Sequence, residues 1–210
     1  MVETVIAFIP QTAWGQMFSD DDKNYLRRLV GGALSAAVAG ENFAPVKPAG
    51  AALTQSGGCF VTYKTGGELR GCLGCFTSDQ PLYLTVAAYA NLSATADPRF
   101  AGNRLRPADL SRVEFEVSVL SPLTPCAAPE KIGLGRDGIY VRGGGRSGCF
   151  LPQVATETGW SVAEFWGNCC AGKAGLPADF WRSPHAELFT FTAEIITGKV
   201  GSVARKAINN

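Results

Sequence analysis

Glu68-Leu-Arg-Gly-Cys-Leu-Gly-Cys-Phe76 is rich in glycine and cysteine, and it carries an arginine where an ordinary core strand has only apolar side chains. Successive residues of a β-strand point to opposite faces of the sheet. As a strand, this stretch places one set of side chains in the core: Leu69, Gly71, Leu73 and Cys75. The other set faces a reactive or binding site: Arg70, Cys72, Gly74 and Phe76. We therefore predict the functional centre of the protein here.

The spacing of Cys72 and Cys75 matches a redox dithiol, but strand geometry argues against that function. Two residues three positions apart in a strand have Cα atoms about 10 Å from each other, whereas a disulfide needs them within about 7 Å. A thioredoxin-like dithiol also needs a helix directly after its first cysteine, and the chain here continues as a strand. The favoured interpretation is that Cys72 faces a cleft and Cys75 is buried, with the dithiol as the alternative.

The sequence around this stretch predicts an α+β fold with a mainly antiparallel sheet and flanking helices. Residues 59–64 form a strand that a short glycine turn joins to the 68–76 strand, which is typical of an antiparallel hairpin. Further elements follow from apolar spacing, caps and turn residues: a helix from Ser19 to Gly40, a helix from Pro81 that ends before Pro98, a strand over 113–119, a second hairpin around 143–146 and a last strand over 187–197. We expect one domain over residues 1–210, with an N-terminal arm over about 1–17.

Other polar side chains join the candidate site. Asp97 and Arg99 follow the second helix on a loop, where a site can recruit them. Glu114 and Glu116 share one face of a strand; paired carboxylates can do acid/base work, and a solvated sheet face is the alternative. Our candidate catalytic residues are Cys72, Arg70 and Asp97. Our candidate ligand-binding residues are Arg99, Gly71, Gly74, Glu116 and Gln153.

The composition of the chain excludes some classes of function. Nineteen basic and eighteen acidic residues leave a net charge of +1, which does not provide the basic surface that nucleic-acid binding needs. The apolar run over 5–9 stops at Pro10, too short for a signal peptide or a membrane span. We therefore expect a soluble, cytoplasmic protein that binds neither nucleic acid nor membrane. The N-terminal arm folds back on its own domain or packs on a second subunit, so a homodimer is an open alternative.

Metal and phosphate sites are not expected. The seven cysteines are an odd number without the spacing of a disulfide framework, which indicates reduced thiols. His185 is the single histidine, and a surface loop is its expected place. Gly167-Asn-Cys-Cys-Ala-Gly-Lys-Ala174 resembles a phosphate loop, but it lacks the final hydroxyl and lies at the end of a predicted helix. We predict no cofactor and no metal.

Leu69-Arg-Gly-Cys-Leu-Gly-Cys-Phe76 closely resembles the signature octapeptide of the AMMECR domain family, Leu-Arg-Gly-Cys-Ile-Gly-Thr-Phe. The similarity continues through Asp97-Pro-Arg-Phe100, Glu114-Phe-Glu-Val-Ser-Val-Leu120 and Gly148-Cys-Phe-Leu-Pro-Gln-Val154. Cys75 differs from the signature octapeptide, which usually has threonine at this position. The resemblance implies an antiparallel sheet with helices, in a larger and a smaller lobe that meet at a cleft. It also implies Memo-family and radical-SAM proteins as partners.

Two hypotheses for function remain. In the first, the protein is an enzyme or enzyme subunit in which Arg70 and Arg99 lower the pKa of Cys72; Asp97 or Glu116 carries protons, and Gln153 orients the reactants. In the second, it is a binding or adaptor module whose Arg70 and Arg99 hold an anionic small-molecule ligand or a carboxylate of a partner protein. In that case Cys72 is only a small, buried side chain.

Overall fold

The computed structural model describes residues 18–201, so the predicted arm over 1–17 lies outside the described residues. Five α-helices are present within this range: α1 (Asp20–Ala39), α2 (Ala51–Thr54), α3 (Leu82–Thr95), α4 (Pro152–Thr158) and α5 (Val162–Asn168). Eight strands accompany them: β1 (Cys59–Thr65), β2 (Glu68–Cys75), β3 (Val113–Leu120), β4 (Thr124–Pro125), β5 (Gly138–Gly143), β6 (Arg146–Phe150), β7 (Glu187–Phe191) and β8 (Ala193–Lys199). The α+β class is confirmed.

The strands form two antiparallel sheets. The first has the order β2-β1-β3-β8 and the second the order β4-β7-β5-β6. Both predicted hairpins are present, because β1 pairs with β2 and β5 pairs with β6. Left-handed glycines close both turns: Gly66 and Gly67 in the first hairpin, Gly144 and Gly145 in the second. The larger and smaller lobe and the cleft between them stay a prediction.

Helix α1 begins and ends where the sequence predicts. The Ser19 hydroxyl accepts a hydrogen bond from the Asp22 N–H at 3.2 Å, and the Asp22 carboxylate accepts one from the Ser19 N–H at 3.1 Å, which completes a capping box. Gly40 ends the helix with a φ of 71°. The buried stripe of the helix includes Leu26, Leu29, Val30 and Leu34. Capping residues therefore define both ends of α1, and burial along one face stabilises it.

Each sheet has its own hydrophobic core. Helix α3 packs on β1 and β2, and α1 packs against α3 and β8; the core beneath them contains Val61, Tyr63, Val117 and Ile196. The second core contains Ile139, Phe165 and Trp166, with Trp166 stacked on Trp181 at a centroid distance of 6.3 Å. Phe76 directly follows β2 and contacts the second sheet, because its ring centroid lies 5.4 Å from Tyr140 and 5.7 Å from Phe191.

The single strand predicted over 187–197 is wrong. The chain leaves the second sheet after Phe191 and enters the first sheet at Ala193, so β7 and β8 belong to different sheets. At the break, the Thr192 N–H donates to the Ser121 hydroxyl at 2.9 Å, and the Ser121 N–H donates to the Thr192 carbonyl at 2.9 Å. Ser121 follows β3, where the chain leaves the first sheet. The two crossings between the sheets are therefore hydrogen-bonded to each other.

Among the helices of residues 18–201, none combines the length and the apolar character that a transmembrane helix needs.

We expect Ser121→Ala to lower the free energy of unfolding by about 1 to 3 kcal/mol, because the Thr192 N–H loses its acceptor at a buried crossing. Ser121 is 8% exposed. Chemical denaturation of the wild type and the variant measures the change. The exposed Ser147 supplies a matched control, and Ser147→Ala should stay within about 0.5 kcal/mol of the wild type. Equal effects at the two positions would contradict a specific role for the crossing.

Candidate functional site

A β-bulge in β2 sets the geometry of the predicted site. Tyr63 of β1 lies opposite Gly71, and the next residue, Lys64, lies opposite Leu69, so Arg70 is an extra residue without a partner in the register. A bulge of this kind interrupts the alternation of side chains along the strand. Leu69, predicted in the core, is consequently 38% exposed, whereas Arg70 is only 9% exposed.

Arg70 is a buried cation whose charge is already balanced. Its guanidinium donates to the Thr65 hydroxyl at 2.9 Å and to the Asn103 carbonyl at 3.3 Å, and it lies 3.7 Å from the Asp109 carboxylate. The side chains of Thr65 and the core residue Tyr63 lie on the same face of β1. Arg70 therefore turns toward the 103–109 segment, and the predicted common face for Arg70 and Cys72 is wrong because the bulge separates them.

Asp97 and Arg99 hold the backbone of Cys72. β2 is an edge strand, so its outer N–H and C=O groups need partners other than a strand. The Cys72 N–H donates to the Asp97 carboxylate at 2.9 Å, and the Arg99 guanidinium donates to the Cys72 carbonyl at 2.8 Å. Arg99 and Asp97 also form an ion pair at 2.7 Å. We call these two residues the edge clasp.

The edge clasp keeps the Asp97 carboxylate ionised. Asp97 is 1% exposed, and the hydrogen bond from the Arg99 side chain, with those from the Cys72 and Arg99 N–H groups, lowers its pKa from 3.8 to about 2 against the opposing effect of burial. In turn, the Asp97 carboxylate raises the pKa of Arg99, with a smaller contribution from the Cys72 sulfur. The Arg99 guanidinium thus interacts with both the Asp97 carboxylate and the Cys72 thiol.

The Cys72 thiol is half-buried on the face of the first sheet opposite the helices. Its sulfur accepts a hydrogen bond from the Thr62 hydroxyl at 3.2 Å. In the strand register Cys72, Thr62, Glu116 and Thr197 lie side by side on four adjacent strands. The structure therefore brings Cys72 and Glu116 into one row. We call this side of the first sheet the open face.

The open face contains a pocket of about 390 Å³. Its side chains come from two neighbouring rows of the register, Thr62-Glu116-Thr197 and Lys64-Glu114-Lys199. Cys72 borders the pocket at Thr62. Thr62, Lys64 and Lys199 are not among the residues predicted from the sequence, although the alternation of polar and apolar residues in β1 is a signal for the first two.

The glycines of the octapeptide serve close packing. A Cβ at Gly71 would lie 2.0 Å from the Ser93 carbonyl oxygen of α3, and a Cβ at Gly74 would lie 2.2 Å from the Cys59 carbonyl oxygen. Such distances are far below van der Waals contact, so both positions need glycine. Ser93 strengthens the contact by accepting the Leu73 N–H at 2.9 Å. The predicted role of Gly71 and Gly74 in ligand binding stays a prediction.

Gln153, Cys75 and His185 complete the residues that the sequence singles out. Gln153 is in α4, which packs on β5 of the second sheet, and its buried side-chain oxygen has no hydrogen-bond partner among the described residues. Cys75 is half-buried opposite Cys59, so it is less buried than predicted. His185 lies in an exposed loop. Over residues 18–201 no three histidine, cysteine, aspartate or glutamate side chains group closely enough to bind a metal ion.

Comparison with known proteins assigns the family. The AMMECR1 family model matches residues 27–196, and the chain belongs to this family. Protein MK0488 of Methanopyrus kandleri is 43% identical over 157 residues, which cover 71% of this chain and 75% of that protein. Protein PH0010 of Pyrococcus horikoshii is 38% identical over 181 residues, covering 80% and 86%. The crystal structure of PH0010 has a TM-score of 0.76 and covers 85% of this chain and 92% of its own.

We expect Gly71→Ala to destabilise the protein by more than about 2 kcal/mol, because the added methyl group must displace either β2 or α3. Thermal and chemical unfolding measure the loss. Gly102 provides the matched control, since a Cβ there meets no atom within 4 Å; Gly102→Ala should be nearly neutral. A neutral Gly71→Ala would mean that β2 and α3 are not in close contact.

Asp97→Asn should lower the free energy of unfolding by about 2 kcal/mol at neutral pH, since it removes the charge of the edge clasp. The pKa of Asp97 is lowered by folding, so its stabilising contribution is complete above pH 3.8 and is lost as the pH falls through about 2. The difference between wild type and variant should therefore shrink across this range. The exposed Asp79 gives the control, Asp79→Asn. A pH-independent difference would contradict the clasp.

Proposed function

We propose that this AMMECR1-family protein is an enzyme, or a subunit of one, in which the Cys72 thiolate on the open face is the nucleophile. One observation carries the proposal. The backbone of Cys72 is fixed at both its N–H and its C=O by the edge clasp, while the residue is only partly buried and its sulfur lies beside a hydroxyl donor. Fixed position with an accessible sulfur is what a nucleophile requires.

Two polar groups lie next to the Cys72 sulfur. The Thr62 hydroxyl donates to the sulfur at 3.2 Å, and the Arg99 guanidinium places a positive charge near it. Donors and cations both favour the ionised form of a cysteine. Arg70, which the sequence placed in this role, is held by Asp109 on the other side of the bulge, so Arg99 is the better candidate.

Glu116 is the better candidate for proton transfer. Both carboxylate oxygens of Asp97 are engaged by Arg99 and by the Cys72 N–H, which leaves Asp97 little capacity to accept a proton. Glu116 lies in the row of Cys72, two strands away, a separation of roughly 10 Å. A substrate that spans this row would contact both side chains. We assign Glu116 the acid/base role in the proposed reaction.

The partners predicted from the family resemblance belong to the proposal as well. A Memo-family protein and a radical-SAM enzyme would act on the same small molecule or protein as the Cys72 site. The second candidate function is a binding or adaptor module. The charged pocket next to Cys72 favours it, because such a pocket can hold a ligand without any reaction of the thiol.

We expect iodoacetamide to label Cys72 in the folded protein at least about tenfold faster than Cys75, because Cys72 is fixed beside the Thr62 hydroxyl and the edge clasp. Peptide mapping by mass spectrometry gives the labelling rate of each cysteine against pH. Thr62→Val, which removes the donor and keeps the side-chain shape, should slow labelling of Cys72 at neutral pH by about tenfold.

Cys75 is the internal control, because it is another half-buried cysteine of the same strand. Its labelling rate should not respond to Thr62→Val. An unreactive Cys72 in the folded protein would refute the nucleophile and leave the binding module as the function.

A further inference from the structure

The pocket on the open face separates two kinds of charge. In one row, Glu114 lies between Lys64 and Lys199 in the register and forms an ion pair with Lys199 at 2.7 Å. This row has one more positive than negative side chain, and Lys64 is exposed. In the neighbouring row, Glu116 lies between the hydroxyl residues Thr62 and Thr197 and is the only charged side chain. The rows are about 7 Å apart along the strands.

The Glu116 row has the chemistry of an ammonium site. A primary ammonium group has three N–H donors and no acceptor. The carboxylate of Glu116 and the two threonine hydroxyls offer acceptors on three adjacent strands. The only hydrogen bond of the Glu116 side chain within the described residues is a long one from the Ser118 hydroxyl, at 3.4 Å. Glu116 lines the pocket, and most of its acceptor capacity is not used by the other described residues.

We propose that the pocket binds a small zwitterion of the amino-acid class, with its ammonium group on Glu116 and its carboxylate on Lys64. The pocket volume of about 390 Å³ lies in the range of small-molecule sites, about 300 to 1,000 Å³. A molecule with a single charge satisfies only one of the two rows. Charge separation, more than apolar contact, therefore determines which ligands bind.

The position of Cys72 connects this ligand to the proposed reaction. Thr62 lines the pocket and also donates to the Cys72 sulfur, so the pocket and the thiol share one side chain. Its identification as the substrate depends on the proposed reactivity of Cys72. Its binding does not depend on that reactivity, and the two proposals can therefore fail separately.

A titration of the ¹⁵N-labelled protein with 5-aminopentanoate, followed by NMR, tests the site. The extended chain of this probe spans roughly the distance between the two rows. Amide resonances of β1, β3 and β8 should shift, and pentylamine and pentanoate should bind at least about fivefold more weakly. Glu116→Gln and Lys64→Met should each weaken 5-aminopentanoate binding by about fivefold. Glu157→Gln changes an exposed glutamate of α4 and should have no effect.

Singly charged probes that bind as tightly as 5-aminopentanoate would overturn the proposal, as would an absence of shifts in these three strands up to the solubility limit. The titration and the iodoacetamide labelling of wild-type Cys72 together separate the two proposals. Zwitterion binding with an inert Cys72 refutes the nucleophile and supports the pocket. A reactive Cys72 without zwitterion binding refutes the pocket and leaves the nucleophile in place.

Discussion

The candidate site depends on how the edge strand of the first sheet pairs its outer N–H and C=O groups. An edge strand presents N–H and C=O groups that have no neighbouring strand, and a buried edge has to satisfy them by other means. Here a carboxylate and a guanidinium replace the missing strand at Cys72. Because Asp97 and Arg99 also bond to each other, the edge clasp holds the backbone of Cys72 at two linked points.

The bulge and close packing together explain several residue types in the 69–76 octapeptide. The extra residue turns Arg70 toward Asn103 and Asp109, where a guanidinium can reach several acceptors from the interior. Gly71 and Gly74 allow α3 and β1 to approach without a Cβ in the way. Three of the polar or small residues of the stretch therefore have structural tasks. Cys72 and Cys75 remain as the side chains whose type packing does not explain.

Local signals made most of the fold predictable. Ser19, Gly40 and the glycines of the two hairpins act within a few residues of their own position, so the sequence indicates the ends of α1 and the turns directly. The bulge at Arg70 and the break at Thr192 depend on partners far along the chain, Asp109 and Ser121. Alternation alone cannot identify such partners, and for that reason it gave Arg70 the wrong face and joined β7 to β8.

Asp97 cannot both hold the backbone of Cys72 and transfer protons. A carboxylate that carries protons has to lose its charge during the reaction, and here the loss of that charge would release both Arg99 and the Cys72 N–H. The thiol would lose its position at the moment it is needed. Proton transfer in the proposed reaction therefore belongs to a carboxylate outside the clasp. Glu116 meets this condition, since its protonation leaves the backbone of Cys72 unchanged.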